Sequence, residues 1–100
     1  NSKVADLVQE LQNWGVRVVV SDPWADSDEV AHEYGIRLGT VDAEHPVDSL
    51  IVAVGHNEFR DVDLAVLRSL CQGEKPVLAD LKCLYDRNAA TAAGFTVFRL

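Results

Sequence analysis

Lys82 is the cation of this sequence most suited to chemistry, because it follows an apolar run, Val77-Leu78-Ala79, with only Asp80 and Leu81 between. A lysine just past a buried strand could neutralise a phosphate or a carboxylate, and a solvated loop lysine is the plain alternative. Asp80 could orient Lys82 or cap the turn that follows, capping being the commoner use of such a residue. Two other apolar runs end in polar groups: residues 16–20 in Ser21-Asp22-Pro23 and residues 50–54 in Gly55-His56. Asp22 reads as a turn and cap residue that could also touch a ligand. His56 could be a general base or a hydrogen-bond donor at a pocket rim, or a loop histidine packing beside Phe59. His32 and His45 have no Cys or His partner at zinc-like spacing, so no metal site is expected. Cys71 and Cys83 read as structural or incidental thiols.

Equally informative is what the sequence lacks. No G-x-G-x-x-G follows a strand, no Walker loop is present, and there is no G-x-S-x-G elbow. The chain by itself is therefore not expected to hold a dinucleotide in the usual way. Its 16 acidic residues against nine Lys and Arg give a net charge of −7, and the basic residues are scattered. A phosphate-backbone binder carries a basic stripe, so nucleic acid and anionic membranes are poor partners. A small anion remains possible, since one cation and a helix N-terminus suffice for a phosphate.

The elements that would position these groups follow a repeated grammar. Ser2 can cap a helix with Val4, Leu7, Val8 and Leu11 at helical spacing. Trp14 and Gly15 then stop it, and Val16-Arg17-Val18-Val19-Val20 follows as a β-branched strand. A second helix opens at Asp26 or Ser27 and stops at Gly35, and Ala93-Gly94-Phe95-Thr96-Val97-Phe98 repeats the pattern. Between these lie a strand over residues 49–54, a helix near 62–71 with Leu64, Leu67 and Leu70 inward, a strand over 77–80, and a last helix over 86–92. Helices alternating with short, continuously apolar strands predict a parallel sheet covered on both faces. With right-handed crossovers, that is a three-layer, Rossmann-like α/β domain.

One hundred residues make one small domain, and 48% hydrophobic with 25% charged residues is an ordinary globular balance. No apolar run is long enough for a membrane span, and the first residues carry neither a basic nor a hydrophobic leader region. Two cysteines without a leader fit a reducing cytoplasm. In such sheets ligands sit beyond the carboxyl ends of the strands, where Asp22, His56, Asp80 and Lys82 all fall.

Taken in order, these segments resemble the C-terminal, UDP-binding domain of the UDP-glucose/GDP-mannose dehydrogenase family over nearly the whole chain. The matching runs are the first helix, Ser21-Asp22-Pro23-Trp24-Ala25-Asp26, His32-Glu33-Tyr34-Gly35-Ile36, residues 50–59 and residues 78–87, the last ending in Asp86-Arg87. Asp-Pro-Trp-Ala-Asp and His-Glu-Tyr-Gly-Ile look most like the bacterial UDP-N-acetylhexosamine 6-dehydrogenase branch, whose products enter surface polysaccharides.

The resemblance implies an intact enzyme that oxidises a sugar C6 alcohol to a carboxylate in two NAD-dependent steps, through a thiohemiacetal on a catalytic Cys. That Cys, the NAD fingerprint and the assisting Lys and Asp belong to N-terminal and central parts that do not match this chain. The piece alone is therefore expected to be inactive and to bind no NAD. It implies Lys82 as the contact to the nucleotide-sugar with Asp80 beside it, and Arg87, His56 and Asp22 as weaker candidates. It also implies a homo-oligomeric intact enzyme, and a first strand upstream of Asn1 that this sheet would lack. At position 83 many relatives carry Gly or Asn where this chain has Cys. Two other readings fit the fold class: an interaction module that has lost the ligand, and a receiver-like signalling domain. The receiver lacks its phosphoacceptor here, since the middle strand ends in Val54-Gly55-His56.

Overall fold

The computed structural model describes residues 2–21, 39, 41–53 and 62–99. The chain divides into two compact units, residues 1–41 and 42–100.

In the first unit, helix α1 spans Ser2–Asn13 and begins at Ser2 itself, so Ser2 is its first turn rather than a residue ahead of it. Val4, Leu7 and Leu11 are half-buried and Val8 is buried, while Lys3, Asp6, Gln9, Glu10, Gln12 and Asn13 face water. The helix ends where the sequence predicts. Gly15 takes φ +85°, its N–H donates to the Gln12 carbonyl, and the Val16 N–H reaches back to Leu11. These paired bonds close the last turn and satisfy carbonyls that the helix leaves open. Trp14 stays exposed, with its indole N–H on Glu10 Oε1 at 2.8 Å.

Residues 16–20 depart from expectation. Residues 16–19 form no strand ladder among the described residues, and Val20 makes a single bridge. β-branched residues fit an extended backbone, but a strand also needs a neighbour to pair with. The bond described here is the one from the Gly39 N–H to the Val20 carbonyl, 2.8 Å.

The second unit carries the sheet. Strands β1 (Ser49–Val52), β2 (Val77–Asp80) and β3 (Thr96–Phe98) lie side by side in that order, all parallel. Parallel neighbours need a crossover, and each crossover here contains a helix: α2 (Leu64–Ser69) and α3 (Arg87–Ala92). This is the Rossmann-like α/β arrangement predicted from the alternation of elements. α2 is shorter than the 62–71 expectation, because the Asp63 carboxylate accepts from the Ala65 N–H at 2.7 Å and fixes the start. Asp86 does the same for α3 through the Ala89 N–H, 2.9 Å.

The core is Cys71, Leu78, Tyr85, Ala90 and Phe95, with Leu50, Val52, Leu64, Leu67 and Val97 packed against it. Leu78 is fully buried and Phe95 nearly so. Successive strand residues face opposite ways, so one sheet face packs on α2 and α3 while Ile51, Val77 and Phe98 point to the other. Those three remain 42%, 37% and 50% exposed. No helix of the described residues is long and apolar enough to cross a membrane.

Candidate functional site

β2 ends at Asp80, and the chain must turn there to reach α3. The Leu81 N–H continues the ladder to the Val52 carbonyl, 3.0 Å, and the Cys83 N–H closes a turn on the Asp80 carbonyl, 3.3 Å. Cys83 then adopts φ +52°, in the left-handed region that glycine and asparagine favour. That reversal aims the next two amides back at the strand end. The Leu84 N–H donates to Asp80 Oδ1 at 3.0 Å and the Tyr85 N–H to Oδ2 at 2.8 Å.

Asp80 is 1% exposed, a buried carboxylate whose two oxygens each accept a charge-assisted hydrogen bond. The sequence left open whether Asp80 caps the turn or orients Lys82. The geometry joins the two, because the turn that Asp80 holds is the one that carries Lys82. Lys82 is exposed at its crest and has no hydrogen bond or salt bridge to any described residue. It lies two residues beyond the carboxyl end of β2.

Arg87 opens α3, exposed, at the far end of the same loop. Asp22 and His56 lie outside the described residues. Arg99, the residue after β3, drew no attention in the sequence; its Nη2 donates to the Tyr85 carbonyl. Only the register could have revealed it, since Val77 pairs with Thr96 and Ala79 with Phe98, which sets position 99 opposite Asp80.

Burial shapes the titration of two core groups. It pushes the Tyr85 phenol up, and the Asp80 charge adds to the effect. It also raises the Cys71 thiol, with Arg68 opposing and Asp48 adding. Cys71 is buried and Cys83 exposed, and neither is in a disulfide. His45 hydrogen-bonds Asp42 at 2.9 Å in a tight turn, which holds the Asp42 carboxyl below its ordinary value. No cluster of His, Cys, Asp or Glu among the described residues could hold a metal ion.

The loop leaving β2 has no glycine between Leu81 and Asp86, so this loop is not a glycine-rich dinucleotide turn.

A parallel α/β sheet with a helix in each crossover defines a Rossmann-like domain. The chain belongs to the UDP-glucose/GDP-mannose dehydrogenase family: the model of that family's UDP binding domain matches residues 1–87. It is 39% identical over 88 residues to UDP-N-acetyl-D-glucosamine 6-dehydrogenase of Pseudomonas aeruginosa, covering 88% of this chain and 21% of that protein. The enzyme of the same name from Salmonella typhi is 40% identical over 83 residues, 82% of this chain and 19% of its own. Protein CapL of Staphylococcus aureus is 31% identical over 61 residues, 61% of this chain and 14% of its own. The chain thus spans about a fifth of the length of the two dehydrogenases it matches.

Proposed function

We propose that this chain supplies part of the UDP-sugar pocket of an NAD-dependent UDP-sugar 6-dehydrogenase, with Lys82 as the contact to the anionic nucleotide-sugar. The observation that carries the reading is the placement of Lys82: exposed, without a partner among the described residues, on a loop anchored by a buried Asp80. Membership of the family's UDP binding domain supports the ligand class. The names of the two dehydrogenases favour a UDP-N-acetylhexosamine as the sugar conjugate.

In this reading the C6 oxidation, the cofactor and the nucleophile belong to other parts of a cytoplasmic, homo-oligomeric enzyme that makes precursors for surface polysaccharide. The chain alone has no activity. Asp80 contributes through the loop, and Arg87 is close enough in sequence to add positive charge. Replacing Lys82 by Ala in the intact enzyme is expected to raise KM for the UDP-sugar by about tenfold or more, since a charged hydrogen bond is worth about 1.5–3 kcal/mol. An unchanged KM would remove Lys82 from the site.

A further inference from the structure

Lys82 has no partner to fix it, so its position depends on the backbone of the loop beneath it. Two charged side chains converge on that loop at one residue. The N–H of Tyr85 donates to Asp80 Oδ2 at 2.8 Å, and its carbonyl accepts from Arg99 Nη2. Asp80 ends β2, Arg99 directly follows β3, and the β2–β3 register carried one residue further sets the two opposite each other. Register partners point to the same face, so the acid and the base rise together at the carboxyl edge of the sheet. Tyr85 also directly precedes Asp86, which caps α3. The Nε of Arg99 is buried with no hydrogen-bond partner among the described residues, so this residue holds Tyr85 through Nη2. It also lies beyond the residues matched to the UDP binding domain, so that likeness gives it no role.

We propose that Asp80 and Arg99 form a clamp on Tyr85 and act as positioning residues for Lys82, an inference that rests on the reading of Lys82 as the ligand contact. With both peptide groups of Tyr85 held, the loop keeps one conformation and Lys82 stands ready at the sheet edge. Releasing either hold lets the loop sample others, and apparent affinity falls with the fraction of chains in the competent form.

The test uses the 100-residue chain with Arg99→Gln, Arg99→Lys and Asp80→Asn, read by amide hydrogen exchange and by titration with UDP. Arg99→Gln is the primary variant, because Asp80 is buried and its replacement could unfold the chain. In Arg99→Gln the Leu84 and Tyr85 amides should exchange about tenfold faster while the Leu78 amide is unchanged, as expected for local opening. UDP affinity should fall about threefold to tenfold and recover in part in Arg99→Lys, which keeps a charged donor on a long side chain where Gln offers a shorter, neutral one. Combined with Lys82→Ala, Arg99→Gln should cost nothing further, since a residue acting through Lys82 is coupled to it. Unaltered exchange at Leu84 and Tyr85 would overturn the clamp, and additive losses of affinity would overturn its action through Lys82. If the unsubstituted chain does not bind UDP while the exchange effect holds, the Lys82 reading falls, the positioning role falls with it, and the clamp survives as a loop anchor.

Discussion

At the scale of single residues, the loop between β2 and α3 concentrates the features that sequence alone could not rank. Lys82 was legible there because it is a lone cation behind an apolar run. Asp80 was legible as a cap, but its burial depends on the left-handed turn at Cys83, and a positive φ leaves no mark on a cysteine. The Cys83 φ of +52° is one that Gly or Asn adopts more readily than Cys. A side chain there costs about 1–2 kcal/mol, part of which glycine returns through the freer unfolded chain. Cys83→Gly is thus expected to stabilise the fold by about 0.5 kcal/mol, and Cys83→Val to destabilise it by about 1 kcal/mol or more, read from urea midpoints. Of the two thiols, exposed Cys83 should alkylate under native conditions and buried Cys71 only on unfolding, which mass spectrometry of iodoacetamide-treated chain would establish.

At the scale of elements, helix ends were the most readable part of the sequence. Trp14-Gly15-Val16 and Ala93-Gly94-Phe95 close their helices with the same pair of backward bonds: Gly15 to Gln12 and Val16 to Leu11, Gly94 to Thr91 and Phe95 to Ala90. The resemblance between these segments is one stop motif used twice. The two glycines differ in surroundings. A Cβ at Gly15 would meet nothing within 4 Å, whereas at Gly94, φ +106°, it would stand 3.0 Å from Arg68 Nε. Gly94→Ala should therefore cost more than Gly15→Ala, about 2 kcal/mol against about 1 kcal/mol, measured by urea unfolding. Asp86→Ala, which removes the cap of α3, should cost about 1 kcal/mol. Residues 16–20 were misread for a physical reason: β-branched composition reports what a residue tolerates, and pairing depends on partners elsewhere in the chain. For the same reason Arg99 was invisible until the register of β2 and β3 was known.

At the scale of the whole molecule, charge and burial set the response to solution conditions. Burial raises the Cys71 thiol and the Tyr85 phenol above their unfolded values. Groups raised in the fold contribute stability that is complete below their unfolded pKa and lost as pH rises through the folded one. Those unfolded values are about 8.5 for Cys and about 10 for Tyr, so these two groups should lower the urea midpoint progressively above about pH 9. A midpoint that climbs there would contradict their burial. With a net charge of −7 no general field draws an anion in, and the Leu81, Cys83, Leu84 and Tyr85 amides already donate within the fold, so the proposed recognition falls to Lys82. The most direct measurement is therefore a titration of the isotopically labelled chain with UDP, following backbone amide shifts. Saturable shifts centred on residues 80–85, lost in Lys82→Ala, are the predicted result. A full titration with no shift in that loop, or shifts there that persist undiminished in Lys82→Ala, would contradict it.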